Sequence, residues 1–410
     1  MPEAYRAHPL LDPLLPSRQR TTARFWLGVH RSRGSRDGKA ARPVLATSGG
    51  LRLSPDPGDV PASLFADADK YLDDLLALAP PGAGGLRVLD STREMNDLDR
   101  LLRAAIEAST SRQRYEAQRK LYLAKLLFDI DHCRSVLDGP RHRALFESLL
   151  ARTLWSQAEE AGGEREICCR LTSVRSGGDR LELGVRPDAG GRCWRFNMRA
   201  LRSEVGEPGI DVYDYRTRFK RDAADLEPKR SSEGMLSLAE APRWPGLGRR
   251  SGSILSKMIR QGIADPHMVQ DMLGAKFIVG DRSRVYALDR RLTRALGGPF
   301  HFRDRVDTLA GESDRAQLNR HSSAGFQVLK QIASILVEDP AGAAPYLFPI
   351  EIQIHPLESY LRTLHDAHYS SHAAYKRRQT FEGLLPILFP PEVYGDELRE
   401  QAPNPLDGDV

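Results

Sequence analysis

The segment FPIEIQIHP, residues 348–356, constrains the fold more than any other stretch of this chain. Isoleucine occupies positions 350, 352 and 354, and because side chains alternate between the faces of a strand, these three share one face. The opposite face then carries Glu351, Gln353 and His355. An acid, an amide and an imidazole opposite a β-branched core face predict the floor of a functional site, although any half-exposed sheet with one polar face has the same pattern.

The surrounding sequence alternates between helical and strand patterns over its last 150 residues, which is typical of an α/β domain. Residues 326–337 are ambiguous, because their apolar residues have helical spacing while their place in the alternation requires a strand. The predicted elements are a helix at about 251–262, a strand at 273–279, a helix at 283–296, a strand at about 300–307, a strand at 348–355 and a helix at 357–377.

The N-terminal half has a different organisation. Residues 1–62 are rich in Pro, Gly, Ser and Arg and are expected to be poorly ordered, and residues 63–162 are predicted to be helical, the last helix ending at Gly162 and Gly163. Alternating apolar residues then predict a three-stranded antiparallel meander within 163–221, with a further strand from about 210 to 221. We expect a linker at 222–246, the α/β domain at 247–380 and a tail at 381–410.

Composition excludes several classes of protein. With 40% apolar and 28% charged residues the chain can bury a core, and no run of apolar residues is long enough to span a membrane. The N-terminus lacks the pattern of a secretory signal. The four cysteines fit neither a disulfide framework nor zinc spacing, so a cytoplasmic location is expected. A net charge of +5 is mild, and the arginine-rich composition alone does not indicate nucleic-acid binding.

Three basic residues of the strand at 210–221, Arg216, Arg218 and Lys220, fall on one face. They form either a phosphate-binding stripe or, as charge runs usually do, a solvated surface, and the solvated surface is the favoured interpretation.

Two further segments carry residues suited to nucleotide chemistry. In QDMLGAKFIVGD, Asp271 precedes an apolar strand that Lys276 interrupts, and Asp271 with Glu351 could share a divalent ion with phosphates. In GRRSGSILSKM a helix starts near a glycine, and its amides and cationic side chains would suit a polyphosphate. The basic and hydroxyl residues of this segment are Arg249, Arg250, Ser253 and Lys257.

The order and spacing of the segments are more informative than any one of them. GRRSGSILSKM, QDMLGAKFIV, SAGFQVLKQ, PIEIQIHP and LHDAHYSSHAAYKRR together resemble the synthetase domain of RelA/SpoT-type alarmone synthetases over residues 249–378, roughly a third of the chain. The resemblance implies a nucleotidyltransferase-like mixed β-sheet with flanking helices, preceded here by the helical and antiparallel-β region. It also favours a strand for residues 326–337.

The resemblance assigns roles to individual residues. Asp271 and Glu351 match the acids that bind Mg²⁺ and activate the acceptor, with Gln353 following, and Arg249, Ser253 and Lys257 match the residues at the ATP phosphates, with Arg250 beside them. Phe326 matches the aromatic residue that stacks on the acceptor base. The remaining positions expected at the acceptor are Lys330, His372, Tyr375 and Lys376.

Several positions depart from the family pattern. Phe326 keeps the ring of the usual tyrosine but lacks its hydroxyl, Lys330 replaces a histidine, and Leu247 stands where an arginine is usual. The Pro-Lys before the stacking aromatic is absent, Asp366 replaces a glutamate, and no HD motif precedes the domain, so a hydrolase half is not expected. Looser base selectivity follows from the lost hydroxyl.

The expected reaction is therefore ATP-dependent pyrophosphoryl transfer to the 3′-hydroxyl of a guanine nucleotide, with Mg²⁺ as cofactor, making a (p)ppGpp-type alarmone. Two alternatives stay open: a catalytically degenerate nucleotide-binding module, and a toxin-like enzyme that modifies adenine nucleotides or tRNA 3′ ends. Basic stripes at 216–221 and 376–378 would suit RNA, but neither is specific. A transition-metal site at His365, His368 and His372 is a weaker alternative.

Overall fold

The computed structural model describes residues 22, 25–30, 44–45, 52–53, 63–77, 86–174, 178–204, 206–220, 252–309, 326–338, 344–365 and 372–395. The chain divides into two compact units, each assembled from separate stretches. Unit 1 comprises Met1–Leu137, Trp244–Val269 and Arg377–Val410, and unit 2 comprises Asp138–Arg243 and Gln270–Lys376.

The described helices and strands are numbered in chain order. The helices are α1 (Ser63–Leu76), α2 (Asp90–Arg93), α3 (Leu98–Glu107), α4 (Ser111–His132), α5 (Arg134–Leu137), α6 (Gly139–Thr153), α7 (Gly252–Gln261), α8 (Arg282–Ala295), α9 (Leu357–Leu364), α10 (His372–Arg378), α11 (Leu385–Leu388) and α12 (Pro391–Tyr394). The strands are β1 (Val44–Leu45), β2 (Arg52–Leu53), β3 (Ala158–Val174), β4 (Gly178–Leu183), β5 (Arg192–Leu201), β6 (Ile210–Phe219), β7 (Leu273–Val279), β8 (Phe302–Asp307), β9 (Leu329–Val337) and β10 (Tyr346–Pro356).

Unit 1 is built around the long helix α4. The hydroxyl of Thr110 caps its N-terminus by accepting a hydrogen bond from the amide of Gln113. Trp26, fully buried, donates from its indole to the carbonyl of Leu121 at 2.9 Å, and apolar residues of α1 and α3 pack around the same helix. This packing buries one side of α4 in an ordinary hydrophobic core.

The other side of α4 buries charged residues against the C-terminal segment of the chain. Arg119 is 0% exposed, and its guanidinium donates to the carbonyl of Leu388 at 2.5 Å and to the hydroxyl of Tyr394 at 2.9 Å. Tyr394 in turn donates to Glu116 at 2.9 Å, and the Arg119 guanidinium stacks over the Phe389 ring. The buried guanidinium of Arg119 therefore depends on residues that follow 380 for its partners.

Unit 2 contains a single eight-stranded sheet of order β4-β3-β5-β6-β7-β10-β9-β8. Only β7 and β10 pair in parallel, and every other neighbouring pair in this sheet is antiparallel. The fold is thus a mixed sheet with flanking helices, which confirms the predicted fold class. The N-terminal strands and the strands of the α/β segment belong to one sheet rather than to two.

Two local expectations were wrong. The helix that begins at Gly139 ends at Thr153, and Gly162 and Gly163 lie in β3, where the register with β5 shifts between Glu160 and Glu164. A glycine pair is as compatible with a bulge as with a helix end. The first three strands also do not form a meander, because β3 lies between β4 and β5.

The ambiguous segment is a strand, as its position required. Residues 329–337 form β9 between β8 and β10, and nearly all of its side chains are buried. A strand covered on both faces carries apolar residues at consecutive positions, so it can imitate helical spacing. The predicted strand at 210–221 is likewise observed as β6.

Helices α6 and α8 cover one face of this sheet. On α6, Glu147 accepts hydrogen bonds from Tyr215 (2.9 Å) and Thr217 (2.5 Å) of β6. On α8, Asp289 accepts from Gln331 of β9 (2.7 Å) and from Arg305 of β8 (2.6 Å). These polar side chains of β6, β8 and β9 are thus paired with the helices that cover this face. The polar residues of the candidate site lie on the opposite face of the central strands.

Helix α9 lies on that opposite face and packs against the N-terminal strands. Its residues Leu357, Tyr360 and Leu361 form a core cluster with Trp194 and Phe196 of β5, together with Cys169, Leu181 and Ile278. The antiparallel strands β3 to β5 therefore support the helix that follows β10.

Cys168 and Cys193 form a disulfide across β3 and β5, contrary to the expectation of free thiols. The reason is the register, which places the two residues directly opposite each other on neighbouring strands, with Cα atoms 4.0 Å apart. Sequence spacing does not reveal such a pair. Across the described part of the chain, none of the helices combines the length and the apolar character that crossing a membrane would need.

Candidate functional site

Four neighbouring strands place a row of polar side chains on one face of the unit 2 sheet. Arg216 of β6 lies opposite Lys276 of β7, which lies opposite Gln353 of β10, which lies opposite Lys330 of β9. Directly opposite residues share a face, so these four side chains form one row. The next row includes Arg218, Gly274 and Glu351.

Glu351 lies near the middle of β10 and is only 9% exposed. Its Oε2 lies 2.6 Å from Nζ of Lys330, and its Oε1 accepts a hydrogen bond of 2.6 Å from Nε2 of Gln353. Both carboxylate oxygens therefore have a strong partner, which holds the group in one orientation.

His355 fixes the amide of Gln353 from the other side. Its Nε2 lies 3.3 Å from Oε1 of Gln353, and because the amide nitrogen already donates to Glu351, that oxygen must accept. His355 is 1% exposed; burial and then the charge of Lys276 lower its pKa well below the usual value, so the ring is neutral and donates from Nε2. The chain from His355 through Gln353 to Glu351 is thus a fixed hydrogen-bonded relay.

Asp271 lies two residues before the start of β7 and is half-buried. Its Oδ2 lies 2.5 Å from Nζ of Lys220, whose backbone amide donates to the carbonyl of Met272 at 2.9 Å. The end of β6 and the start of β7 therefore bring this second carboxylate and its lysine together.

Lys330 connects the two carboxylates electrostatically. Burial alone would lower its pKa, but the charge and hydrogen bond of Glu351, followed by the charges of Asp271 and Tyr375, raise the pKa of Lys330 above its ordinary value. Asp271 and Tyr375 thus lie close enough to act on the ammonium group that Glu351 holds. The predicted residues Asp271, Glu351, Lys330 and Tyr375 share one electrostatic environment.

Lys276 is the most perturbed cation of this face. It is half-buried, with Nζ 5.3 Å from the centroid of the Tyr360 ring. Burial, then the positive charges of Arg216 and Arg218, lower the pKa of Lys276 to about 8, while Glu351 and Asp214 partly oppose the shift. The face therefore concentrates more positive charge than its carboxylates balance, which favours an anionic ligand.

Phe326 lies half-buried beside the relay. Its ring centroid is 5.6 Å from that of His355 in an edge-on arrangement. The following residue, Gln327, donates its amide to Oγ of Ser359 at 3.1 Å and accepts from the same hydroxyl at 3.0 Å. The segment that carries Phe326 is thus fixed to α9.

The other predicted acceptor residues lie on α10. His372 is exposed, whereas Tyr375 and Lys376 are half-buried, and Nζ of Lys376 lies 5.9 Å from the Tyr375 ring centroid. Tyr375 acts on the polar face through its effect on Lys330. Desolvation and then the charges of Lys376, Lys276 and Arg218 lower the pKa of His372. Asp366 lies outside the described residues.

The predicted ATP residues are not brought to this face by any described contact. Arg249 and Arg250 lie outside the described residues, and Ser253 and Lys257 are half-buried on α7, which belongs to unit 1. Their role stays a prediction.

Sequence reasoning undervalued the basic residues of β6. Arg216, Arg218 and Lys220 were interpreted as a solvated surface, but β6 pairs with β7 inside the sheet and carries them to the face of Glu351. The alternation in DYRTRFK correctly places the three basic residues on one face of the strand. It does not show that β7 is the neighbouring strand, because that pairing joins segments distant in sequence.

The donor set on this face suits a hard divalent ion. Asp271 and Glu351 provide carboxylate oxygens, the ligands that Mg²⁺ prefers, but each already holds a lysine ammonium. A metal ion would therefore have to displace those lysines.

A histidine metal site finds no support in the residues that the structure describes. Of the three predicted ligands, His368 lies outside them. The one group of three or more potential ligands found close together in the described ranges is Glu166, Cys168 and Cys193, whose sulfurs form the disulfide.

Comparison with known proteins gives a limited result. No protein-family model matches the chain, and no curated protein matches it. Among solved structures it is similar to the small alarmone synthetase 1 from Bacillus subtilis (15% identity, TM-score 0.24, 37% of this chain and 57% of that one). It is also similar to the same protein bound to its product pppGpp (18%, 0.22, 27% and 52%) and to a GTP pyrophosphokinase family protein from Streptococcus pneumoniae (19%, 0.23, 36% and 62%). The chain thus spans between about half and three fifths of these structures, and at such TM-scores the similarity assigns no function.

Proposed function

We propose that the chain transfers a pyrophosphoryl group from ATP to the 3′-hydroxyl of a guanine nucleotide, GDP or GTP, and so makes a (p)ppGpp-type alarmone. The observation that carries the proposal is the polar face of unit 2, where an oriented carboxylate, Glu351, lies among cationic side chains. The resemblance of the sequence segments to alarmone synthetases supports the same reaction.

The cations of this face account for binding of the phosphates. Arg216 and Lys276 share one row and Arg218 lies in the next, and guanidinium and ammonium groups bind phosphate oxygens through charge-assisted hydrogen bonds. In phosphoryl transfer, positioning and charge neutralisation supply most of the rate, so a concentrated cationic face suits this chemistry. The resemblance separately assigns Arg249, Arg250, Ser253 and Lys257 to the ATP phosphates.

Glu351 is the proposed base. Its carboxylate accepts the proton of the acceptor 3′-hydroxyl while that oxygen forms a bond to the β-phosphorus, the bond between this phosphorus and the oxygen bridging to the α-phosphorus breaks, and AMP leaves. Gln353 and His355 hold the carboxylate in place through the relay. Bound Mg²⁺, held by Asp271 and Glu351, would neutralise charge on the transferred group.

The acceptor base is proposed to stack on Phe326, with Lys330, His372, Tyr375 and Lys376 near its phosphates and ribose. A phenyl ring offers a stacking surface without a hydroxyl for base discrimination, so looser selectivity between purines is expected.

One observation favours a second candidate, a nucleotide-binding module without transfer activity. Both carboxylates are ion-paired with lysines, and the oxygens of Glu351 are already occupied by Lys330 and Gln353 rather than open to an acceptor hydroxyl.

Incubation of purified protein with γ-labelled ATP and GDP, GTP, ADP, ATP or bulk tRNA separates the candidates. Label on GDP or GTP is expected. Label on an adenine nucleotide or on RNA would indicate the toxin-like alternative, and nucleotide binding without transfer would indicate the module.

A further inference from the structure

Two lysines occupy the positions at which a cation would neutralise the site carboxylates. Nζ of Lys330 lies 2.6 Å from Oε2 of Glu351, and Nζ of Lys220 lies 2.5 Å from Oδ2 of Asp271. Glu351, Asp271 and Lys220 are mostly buried, so these ion pairs are screened less by solvent than surface pairs are.

The backbone pairing of the sheet brings each lysine close to its carboxylate. Lys330 lies on β9 directly opposite Gln353, the residue that donates to the other oxygen of Glu351. Lys220 continues the β6 ladder, its amide donating to Met272 next to Asp271. Each lysine is therefore delivered to its carboxylate by backbone pairing.

We propose that Lys220 and Lys330 are resident counter-ions that compete with a divalent cation for Asp271 and Glu351. A dication that enters the site must displace both ammonium groups or bind beside them, and either route weakens its binding. Phosphate oxygens of a nucleotide offer the displaced ammonium groups new partners, so nucleotide and metal enter together. This inference rests on the proposed function for the nucleotide, but the competition itself concerns only the residues of the face.

The competition predicts tighter metal binding when a lysine loses its charge. In nucleotide-free protein, Lys330→Met and Lys220→Met should each bind Mn²⁺ about tenfold more tightly than wild type, which corresponds to about 1.4 kcal/mol. Lys330→Arg, which keeps the charge, should bind Mn²⁺ as weakly as wild type. Lys70→Met, which removes an exposed lysine from α1, is the matched control and should change nothing.

The test is titration with Mn²⁺ alone, followed by electron paramagnetic resonance of the free ion, with circular dichroism to verify folding. Equal Mn²⁺ affinity in wild type and both methionine variants would overturn the proposal, as would equal tightening in Lys70→Met. If a methionine variant fails to fold, Lys330→Gln, which keeps a hydrogen-bond donor beside Glu351, replaces it under the same criterion. The titration measures Mn²⁺ affinity and does not require pyrophosphoryl transfer. A protein without transfer activity would therefore refute the proposed function and leave this inference intact.

Discussion

At the scale of single residues, the site depends on β10, which contributes one face to the hydrophobic core and the other to the polar site. The isoleucines of β10 are fully buried, while the alternate positions hold Glu351, Gln353 and His355 in a hydrogen-bonded relay. Since the relay lies on a strand in the middle of the sheet, the position of Glu351 is set by backbone pairing on both sides. A rigid element positions a reactive group more accurately than a loop does.

Replacement of Glu351 by Gln tests the proposed base. Transfer should fall to background, because the amide cannot accept the proton and, being neutral, holds a metal ion less tightly, while the similar shape leaves no cavity. Initial rates with saturating Mg²⁺ and thermal unfolding measure the two effects. Glu166→Gln, which removes an exposed carboxylate ion-paired with Arg195 on the same sheet, is the control and should remain active. Unchanged turnover in Glu351→Gln would exclude the mechanism.

Replacement of Lys276 by Met tests the perturbed cation. Its folded-state pKa of about 8 is below that of an unfolded lysine, so at pH 7 the folded state carries a buried charge at a cost that disappears as pH rises through that range. The variant should therefore be about 1–3 kcal/mol more stable at pH 7, with the difference shrinking towards pH 10. It should also bind nucleotide more weakly at pH 7.

Urea unfolding at pH 7 and pH 9.5 and nucleotide titration measure both effects, with Lys70→Met as the control. Wild-type nucleotide affinity should decline above pH 8 as Lys276 loses its proton. A stability difference that does not depend on pH would show that Lys276 acts through packing alone.

Replacement of Phe326 by Ala tests the stacking surface. The variant should bind the acceptor roughly 5- to 150-fold more weakly, since a ring-to-base stack contributes about 1–3 kcal/mol, and it should bind ATP nearly normally. Phe326→Tyr should keep affinity and sharpen the preference for one purine. Acceptor titration at fixed ATP with guanine and adenine nucleotides is the measurement. Equal acceptor binding by wild type and Phe326→Ala would place this ring in the core alone.

At the scale of elements, the contact between α6 and β6 requires a glycine. A Cβ on Gly139, the first residue of α6, would lie 2.0 Å from the ring of Phe219 at the end of β6. The helix can approach the strand this closely only because residue 139 has no side chain. The site benefits indirectly, because Phe219 lies between Arg218 and Lys220.

Gly139→Ala should accordingly destabilise the protein by about 1–3 kcal/mol, the usual cost of overpacking. Chemical denaturation measures this loss. Gly280→Ala is the control, since a Cβ there would meet Tyr213 at an ordinary 3.7 Å. The double variant Gly139→Ala with Phe219→Leu should recover part of the stability, and no recovery would contradict a steric origin.

The elements also show what the sequence could predict. Alternation identified β6 and β10 and the faces of their side chains, because residues of one chemical type recur at every second position, and a short apolar run identified β7. The helix-like spacing in β9 came from burial on both faces, and the order β4-β3-β5 depends on pairings between distant segments that no local pattern encodes. The preference for a solvated surface at Arg216, Arg218 and Lys220 had the same origin, because the neighbour of β6 in the sheet is distant in sequence.

At the scale of the whole molecule, unit 1 depends on residues 388–394. Deletion of residues 379–410 would remove the Leu388 carbonyl and the Tyr394 hydroxyl that accept from the buried guanidinium of Arg119, while Glu116 would keep Arg112 and the Leu89 amide. A buried charge that loses its partner costs about 3–5 kcal/mol. We expect the truncated protein to lose helical circular dichroism or to melt at a much lower temperature.

A milder variant checks this prediction. Tyr394→Phe should cause a partial loss, because only the hydroxyl contacts to Arg119 and Glu116 disappear. A full-length melting temperature after removal of 379–410 would contradict the dependence.

The discontinuous make-up of the two units has a consequence for synthesis on the ribosome. Helices α1 to α4 are translated long before Leu388 and Tyr394, the residues that pair with Arg119 and Glu116. Strand β6 likewise cannot pair until residues 273–279 are made, and β7 cannot pair with β10 until residues 350–356 are made. Domains usually fold in the order of translation, N-terminal first. Here neither unit can complete its contacts when its first segment emerges, so both units remain incompletely folded until residues 350–394 have left the ribosome.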